Sequence, residues 1–358
     1  MDTTTASAST MADPIAYNCP NCGAELMFNA DKHKLCCDFC ESEFTADELS
    51  GTDAMARAEQ MRTDSAQFCT QMNDYSCPNC GAEIVADETT ASEICVYCHS
   101  PIVLIGKLSG QMMPDKIIPF SYGKEEAINK FFDFVRKKWF VPTDFKSKKQ
   151  AEYISGVYFP FWVTDADTIG EYNARATKVR TWRSGDTQYT ETSKFNIHRR
   201  GNIHFEDIVT SALAEGDKEM LEGILPFPSD SLKPFNMAYL SGFTAKKRSI
   251  EREQLSAEVR ARMNDYATRL LSGTVHGYST VNMTSRSIHI MQSSWEYSLM
   301  PIWMMNYVTS KKTYKYAMNG HTGKIYGELP ISIKKVLIAC GAVFAAVAPI
   351  IGAIGGLL

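Results

Sequence analysis

The chain has 358 residues, 44% of them apolar and 22% charged, which is enough for a sizeable core and two or three domains. Its net charge of −4 hides a split. Residues 1–110 carry 17 acidic against 5 basic side chains, a net of −12, and the remainder carries 24 against 32, a net of +8. So acidic a front argues against a module that grips nucleic acid through its phosphates.

Residues 1–16, MDTTTASASTMADPIA, are small and polar. They lack the basic-then-apolar pattern of a secretory leader, and their composition predicts a disordered tail. Ten of the eleven cysteines then follow before residue 100. The stretch YNCPNCGAEL at 17–26 recurs as YSCPNCGAEI at 75–84, a shift of 58 positions. The same shift carries Cys19, Cys22, Cys37 and Cys40 onto Cys77, Cys80, Cys95 and Cys98, and it carries Cys36 onto Ile94. Each unit is therefore C-x2-C-x14-C-x2-C, and Cys36 is spare.

Two such turns facing each other complete a tetrahedral thiolate shell, so the spacing predicts two ribbons, 17–44 and 75–105, each holding one structural Zn2+. Four thiolates close the shell and leave no position for a reactive water, which excludes a catalytic role for these sites. Gly23 and Gly81 supply the turn after the second cysteine, while Glu41 and His99 stand at the corresponding second turns. Disulfides or a redox dithiol are the competing readings, and two matching four-cysteine units without an export leader disfavour both. His33 and His99 read as surface residues.

Residues 45–74 read as a helical or flexible linker, with Cys69 as a free thiol. Residues 106–330 read as one α+β domain. A helix is predicted over 124–140, with Ile128, Phe131, Phe132, Val135 and Trp139 facing the core. A second is predicted over 249–271, with Leu255, Val259, Met263, Tyr266, Ala267, Leu270 and Leu271 on one side. Between and after them the pattern is strand-like. Pro160 with Trp162, and Pro301 with Trp303, mark a helix-then-antiparallel-meander arrangement used twice. Proline places those strands at an edge or bulge. Residues 181–190 and 195–205 read as hairpins, the second bringing His198 and His204 face to face across its turn. Asp165 and Asp167 read as a solvated turn.

No catalytic constellation emerges, so no catalytic or cofactor-binding side chain is nominated; this favours a non-enzyme without deciding the question. The nearest approach to a phosphate-binding loop, GHTGKI at 320–325, has the wrong spacing and no hydroxyl residue after Lys324.

Lys334 and Lys335 form a basic segment, 331–335, before a run free of charge from Val336 to Leu358. As a helix those residues extend about 34 Å, against about 30 Å for a bilayer core. They predict a single-pass tail anchor in the cell membrane, with the lysines keeping the bulk of the chain cytoplasmic. A buried core helix and a re-entrant hairpin are the alternatives. Cys340 then faces lipid or helix.

The CPNCGAE knuckles, with GKLSGQMMPDKIIPF at 106–120, GVYFPFW at 156–162, MAYLSGF at 237–243 and AMNGHTGKIYGELP at 317–330, resemble the long, membrane-attached members of the bacterial TFIIB-type zinc ribbon proteins. Such chains are often labelled after a replication-restart helicase because of their ribbons. The resemblance covers most of the chain from about Tyr75 onward and implies zinc and membrane attachment. Together these features predict an adaptor whose acidic ribbons meet protein partners with basic surfaces. A nucleic-acid-associated ribbon factor and a ligand-binding or enzymatic 106–330 domain are the other two readings.

Overall fold

A computed structural model describes residues 19–24, 26–50, 72–86, 95, 97–98, 100, 102–107, 113–213, 218–309 and 312–355. The tail at 1–16, Cys69 with most of the linker, Ile94 and His99 lie outside the described residues. What is described is rich in sheet: two four-cysteine clusters, then long antiparallel strands.

The first unit is a three-stranded antiparallel sheet of β1 (Leu26–Asn29), β2 (Lys34–Cys37) and β3 (Glu43–Phe44). Successive side chains on a strand point to opposite faces. Leu26, Phe28, Leu35 and Cys37 are therefore buried while Met27 turns outward. The second unit contains β4 (Asn73–Ser76), β5 (Glu83–Ala86) and β6 (Val103–Lys107). It does not stand apart. Hydrogen bonds bridge the boundary expected after residue 105, because β5 pairs antiparallel with β11 (Thr244–Lys246), Ile84 opposite Lys246.

Three long strands dominate the main sheet. Strand β8 (Ser155–Ser184) pairs with β9 (Thr187–Ser211) on one side and with β12 (Thr280–Val308) on the other. Strands β13 (Thr313–Asn319) and β14 (Ile325–Gly327) continue the ladder from β12. Two short parallel strands, β7 (Lys116–Ile117) beside β12 and β11 beside β8, complete the centre, with β10 (Lys233–Pro234) beyond β7. Helix α1 (Lys124–Arg136) and helix α2 (Arg252–Ser272) pack on this framework.

The two halves correspond by position. A shift of 128 carries the buried Ala127, Phe131 and Val135 of α1 onto the buried Leu255, Val259 and Met263 of α2. Thr244 lies beside Val157 on β8, and Lys116 lies beside Ser298 on β12, so each short strand pairs with the long strand of the opposite half. Trp162 donates its indole N–H to Ile250 O at 3.0 Å, just before α2, and Trp303 donates to Tyr122 O at 2.9 Å, just before α1.

Several expectations are corrected here. Pro160 and Pro301 lie in the two central strands, not at an edge. They are tolerated because each sits where its strand changes neighbours. Pro160 falls between the rungs to β11 and those to β9, and Pro301 between those to β7 and β13. Their carbonyls still accept bonds from Ala212 N–H at 3.0 Å and Gly320 N–H at 2.8 Å. The stretch 195–205 is not a hairpin. It runs straight through β9, with Gly201 opposite Gly170, and the turn at Gly185 alone reverses the chain. Asp165 and Asp167 are mid-strand, the former accepting the Asp207 N–H at 2.9 Å where β8 and β9 slip register. Tyr266 and Leu270 face solvent, as does Trp139, because α1 stops at Arg136.

The terminal apolar run lies in helix α3 (Ile333–Gly355), with Leu337, Ile338, Val343 and Phe344 exposed. Among the described residues, no helix is long and apolar enough to cross a membrane.

Candidate metal centres

In the first unit Cys19 and Cys22 flank the turn entering β1, Cys37 ends β2, and Cys40 lies in the turn after it. One hydrogen-bond pattern recurs in three of the four turns. Gly23 N–H donates to Cys19 O at 2.8 Å and Cys19 N–H to Ala24 O at 2.7 Å. Glu41 N–H repeats the first bond to Cys37 O at 2.9 Å, and Gly81 N–H repeats it to Cys77 O at 2.8 Å. The left-handed residue is glycine at Gly23 (φ 77°) and Gly81 (φ 72°), but it is Glu41 (φ 58°) in the second turn of the first unit. A side chain is held there in a conformation that favours glycine.

These turns bring four sulfurs to one point in each unit. Cys19 and Cys40 Sγ are 3.4 Å apart, as are Cys22 and Cys37. In the second unit Cys77 and Cys98 are 3.4 Å apart and Cys80 and Cys95 are 3.7 Å apart. Within each set all four sulfurs lie within 4.8 Å of one another, and either set could hold a metal ion. A tetrahedral shell with metal–sulfur bonds of about 2.3 Å places its sulfurs about 3.8 Å apart, so the donor set fits in number, chemistry and spacing. Disulfides would need about 2.05 Å, and these cysteines are free thiols.

Two serines complete the surroundings. The Ser42 hydroxyl lies 3.1 Å from Cys40 Sγ and holds that thiol down at about 6. At Cys98 burial pushes the other way, but hydrogen bonds from the Ser100 and Asn79 side chains outweigh it and leave this thiol at about 6 as well. Burial pushes the Cys80 and Cys95 thiols up. Ser42 and Ser100 were not singled out from the sequence, yet the shift of 58 that pairs the cysteines pairs these serines too. Partners of this kind orient ligands and tune a metal.

Cys36 stands aside, its thiol directed at Lys34 O at 3.9 Å. His33 occupies the turn between β1 and β2 at φ 52° and belongs to neither cluster. His198 and His204 are not opposed. They lie on one strand and bond separately, His198 Nδ1 to Asn173 Oδ1 and His204 Nδ1 to Asp167 Oδ1, each at 2.7 Å. His321 bridges Ser121 and Ser231 at 2.7 and 2.8 Å, in a turn held by the buried Asn319.

No family profile matches the chain, and no solved structure matches it. The uncharacterized protein YdjG of Bacillus subtilis (strain 168) is 31% identical to it over 322 residues, 90% of this chain and 92% of YdjG. Identity at that level over nearly the whole of both proteins means that this chain belongs to the same family as YdjG.

Proposed function

We propose that this chain is a membrane-anchored zinc-ribbon adaptor, with two structural Zn2+ ions and its bulk in the cytoplasm. Zinc is favoured by two all-thiolate sets, whose softness and tetrahedral spacing suit it and whose closed shells suit a structural role. The uncharged run 336–358 supports an anchor, and Lys334 and Lys335 before it support a cytoplasmic bulk. The knuckles and later blocks that resemble the bacterial TFIIB-type membrane ribbon proteins point the same way.

One observation carries the adaptor role. The shift of 58 relates Phe39 in the first unit to Tyr97 in the second. Tyr97 is docked: its carbonyl accepts the Asn306 side-chain N–H at 2.7 Å, and the Lys246 ammonium lies 4.7 Å from its ring centre. Phe39 is 82% exposed, with Asp38 and Glu41 beside it in the sequence. The first ribbon thus offers outward the residue that the second uses to dock. The matching partner surface is basic, with a cation to place over the ring, as Lys246 lies over Tyr97.

The test is partner capture from solubilised membranes with the full chain and with Phe39→Ala. The variant should keep its metal content and recover roughly tenfold less of its protein partners, in line with loss of an aromatic anchor. Equal recovery would overturn the adaptor reading.

A further inference from the structure

The base of α3 is tied to the segment that follows α1. Ser332 N–H donates to Phe140 O at 2.8 Å, and Lys335 Nζ reaches Val141 O at 2.6 Å. Lys146 Nζ closes the same loop on Lys138 O at 2.7 Å. These bonds gather two stretches distant in sequence around one point, where the apolar helix begins.

What they gather is distinctive. Trp139 is 72% exposed, Ile333 72% and Ile331 69%, with Phe140 also open to solvent. On the same two stretches, 136–149 and 331–335, stand the exposed Arg136, Lys137, Lys138, Lys148, Lys149 and Lys334. The half-buried Lys146 and Lys335 serve as struts, close enough that Lys335, after burial, helps push the Lys146 ammonium below its ordinary value. Against these cations stand Asp133, 3.8 Å from Arg136, and Asp144. An exposed tryptophan and aliphatic side chains ringed by ammonium groups suit neither water alone nor a dry protein core. They suit the boundary of a bilayer, where an indole sits at headgroup depth and lysines meet lipid phosphates.

We infer that the loop after α1 and the base of α3 form a collar that docks on an anionic bilayer surface, with Trp139, Phe140, Ile331 and Ile333 entering the interface and the surrounding lysines binding headgroup phosphates. The collar fixes the orientation of the domain on the membrane, which a single flexible tail does not. Its orientation rests on the tail-anchor reading, but the headgroup contact is a separate claim.

Flotation separates the two. The full chain is added to vesicles of phosphatidylcholine alone and of phosphatidylcholine with phosphatidylserine, beside the variant K137Q/K138Q/K148Q/K149Q, whose substitutions are all at exposed positions. The wild type should prefer the anionic vesicles by at least about tenfold, and the variant should lose that preference while binding neutral vesicles as before. Brominated lipid should quench the Trp139 emission, read as the difference between wild type and Trp139→Phe. Loss of neutral-vesicle binding with a lysine-dependent anionic preference intact would sink the tail anchor and leave the collar standing. An anionic preference that survives in the quadruple variant, or a Trp139 emission untouched by brominated lipid, would overturn the collar.

Discussion

Cys36 and Cys37 are neighbours on β2, and the alternation of a strand separates them. Cys37 is 2% exposed, with its sulfur 3.4 Å from that of Cys22, whereas Cys36 points away towards a backbone carbonyl. Cys36→Ser should therefore keep two metal ions per chain, and Cys37→Ser should keep one, as elemental analysis of the purified protein would read. A single ion in the Cys36 variant would show that the first cluster is not the one described. This distinction was legible in the sequence because the second unit repeats the ligands and replaces the spare cysteine with Ile94. Glu41 was less legible. Its turn has the hydrogen bonds of the glycine turns, but a glutamate conceals the left-handed backbone that glycine advertises at Gly23 and Gly81.

At the scale of elements, the two tryptophans lock each central strand to the start of the opposite helix. Removing either indole N–H leaves a carbonyl without its partner, at Ile250 or at Tyr122. Trp162→Phe and Trp303→Phe should each cost about 1–2 kcal/mol, and nearly the same amount, in denaturant unfolding. A large effect at one and none at the other would refute the equivalence of the halves. The sequence disclosed the Pro-x-Trp pair, 141 positions apart, but not the shift of 128 that relates the two helices, because the matching core positions share burial rather than identity. Phe131 corresponds to Val259, and Phe120 to Arg248, yet Phe120 and Arg248 each lie 5.1 Å from the tryptophan of their own site. The hairpin expected at 195–205 failed for a related reason. Gly201 reads as a turn residue, but in β9 it lies opposite Gly170, whose own Cβ would lie 2.9 Å from Ile203 and 3.2 Å from Leu271 of α2. Close helix-to-sheet packing, rather than chain reversal, accounts for the glycine at 170.

At the scale of the molecule, the base of α3 and the turn at Gly185 lie at opposite ends of the long strands. Tyr307, near the end of β12, packs on Phe145 at 5.1 Å, beside the loop that holds the base of α3. The turn at Gly185 is the far end of β8, whose 30 residues extend up to about 100 Å at about 3.3 Å each, less any loss to twist. A collar resting on a bilayer would thus project Trp182 and Tyr189, stacked at 5.7 Å near that turn, away from the membrane. The two ribbons are placed unequally in this frame, and that has a measurable consequence. The first forms its own three-stranded sheet and joins the domain through side chains, with the buried Phe28 ring 5.1 Å from Tyr239 in a shared apolar core and Asp31 accepting the Gly123 N–H at 2.8 Å. The second is part of the sheet: β5 bonds to β11, Lys247 pairs with Asp74, and Asn306 holds Tyr97 O. A metal that organises a small unit contributes folding free energy to whatever the unit is joined to. Losing it from the second ribbon should therefore destabilise the whole domain, while losing it from the first, which no ladder bond joins to the main sheet, should cost the domain less. Cys80→Ser should lower the global unfolding free energy by on the order of 3 kcal/mol or more, and Cys22→Ser should lower it by clearly less. The measurement is a denaturant titration followed by tryptophan emission, since all five tryptophans lie after residue 138, outside both ribbons. Equal losses in the two variants would mean that the second ribbon's place in the sheet confers no special dependence on its metal.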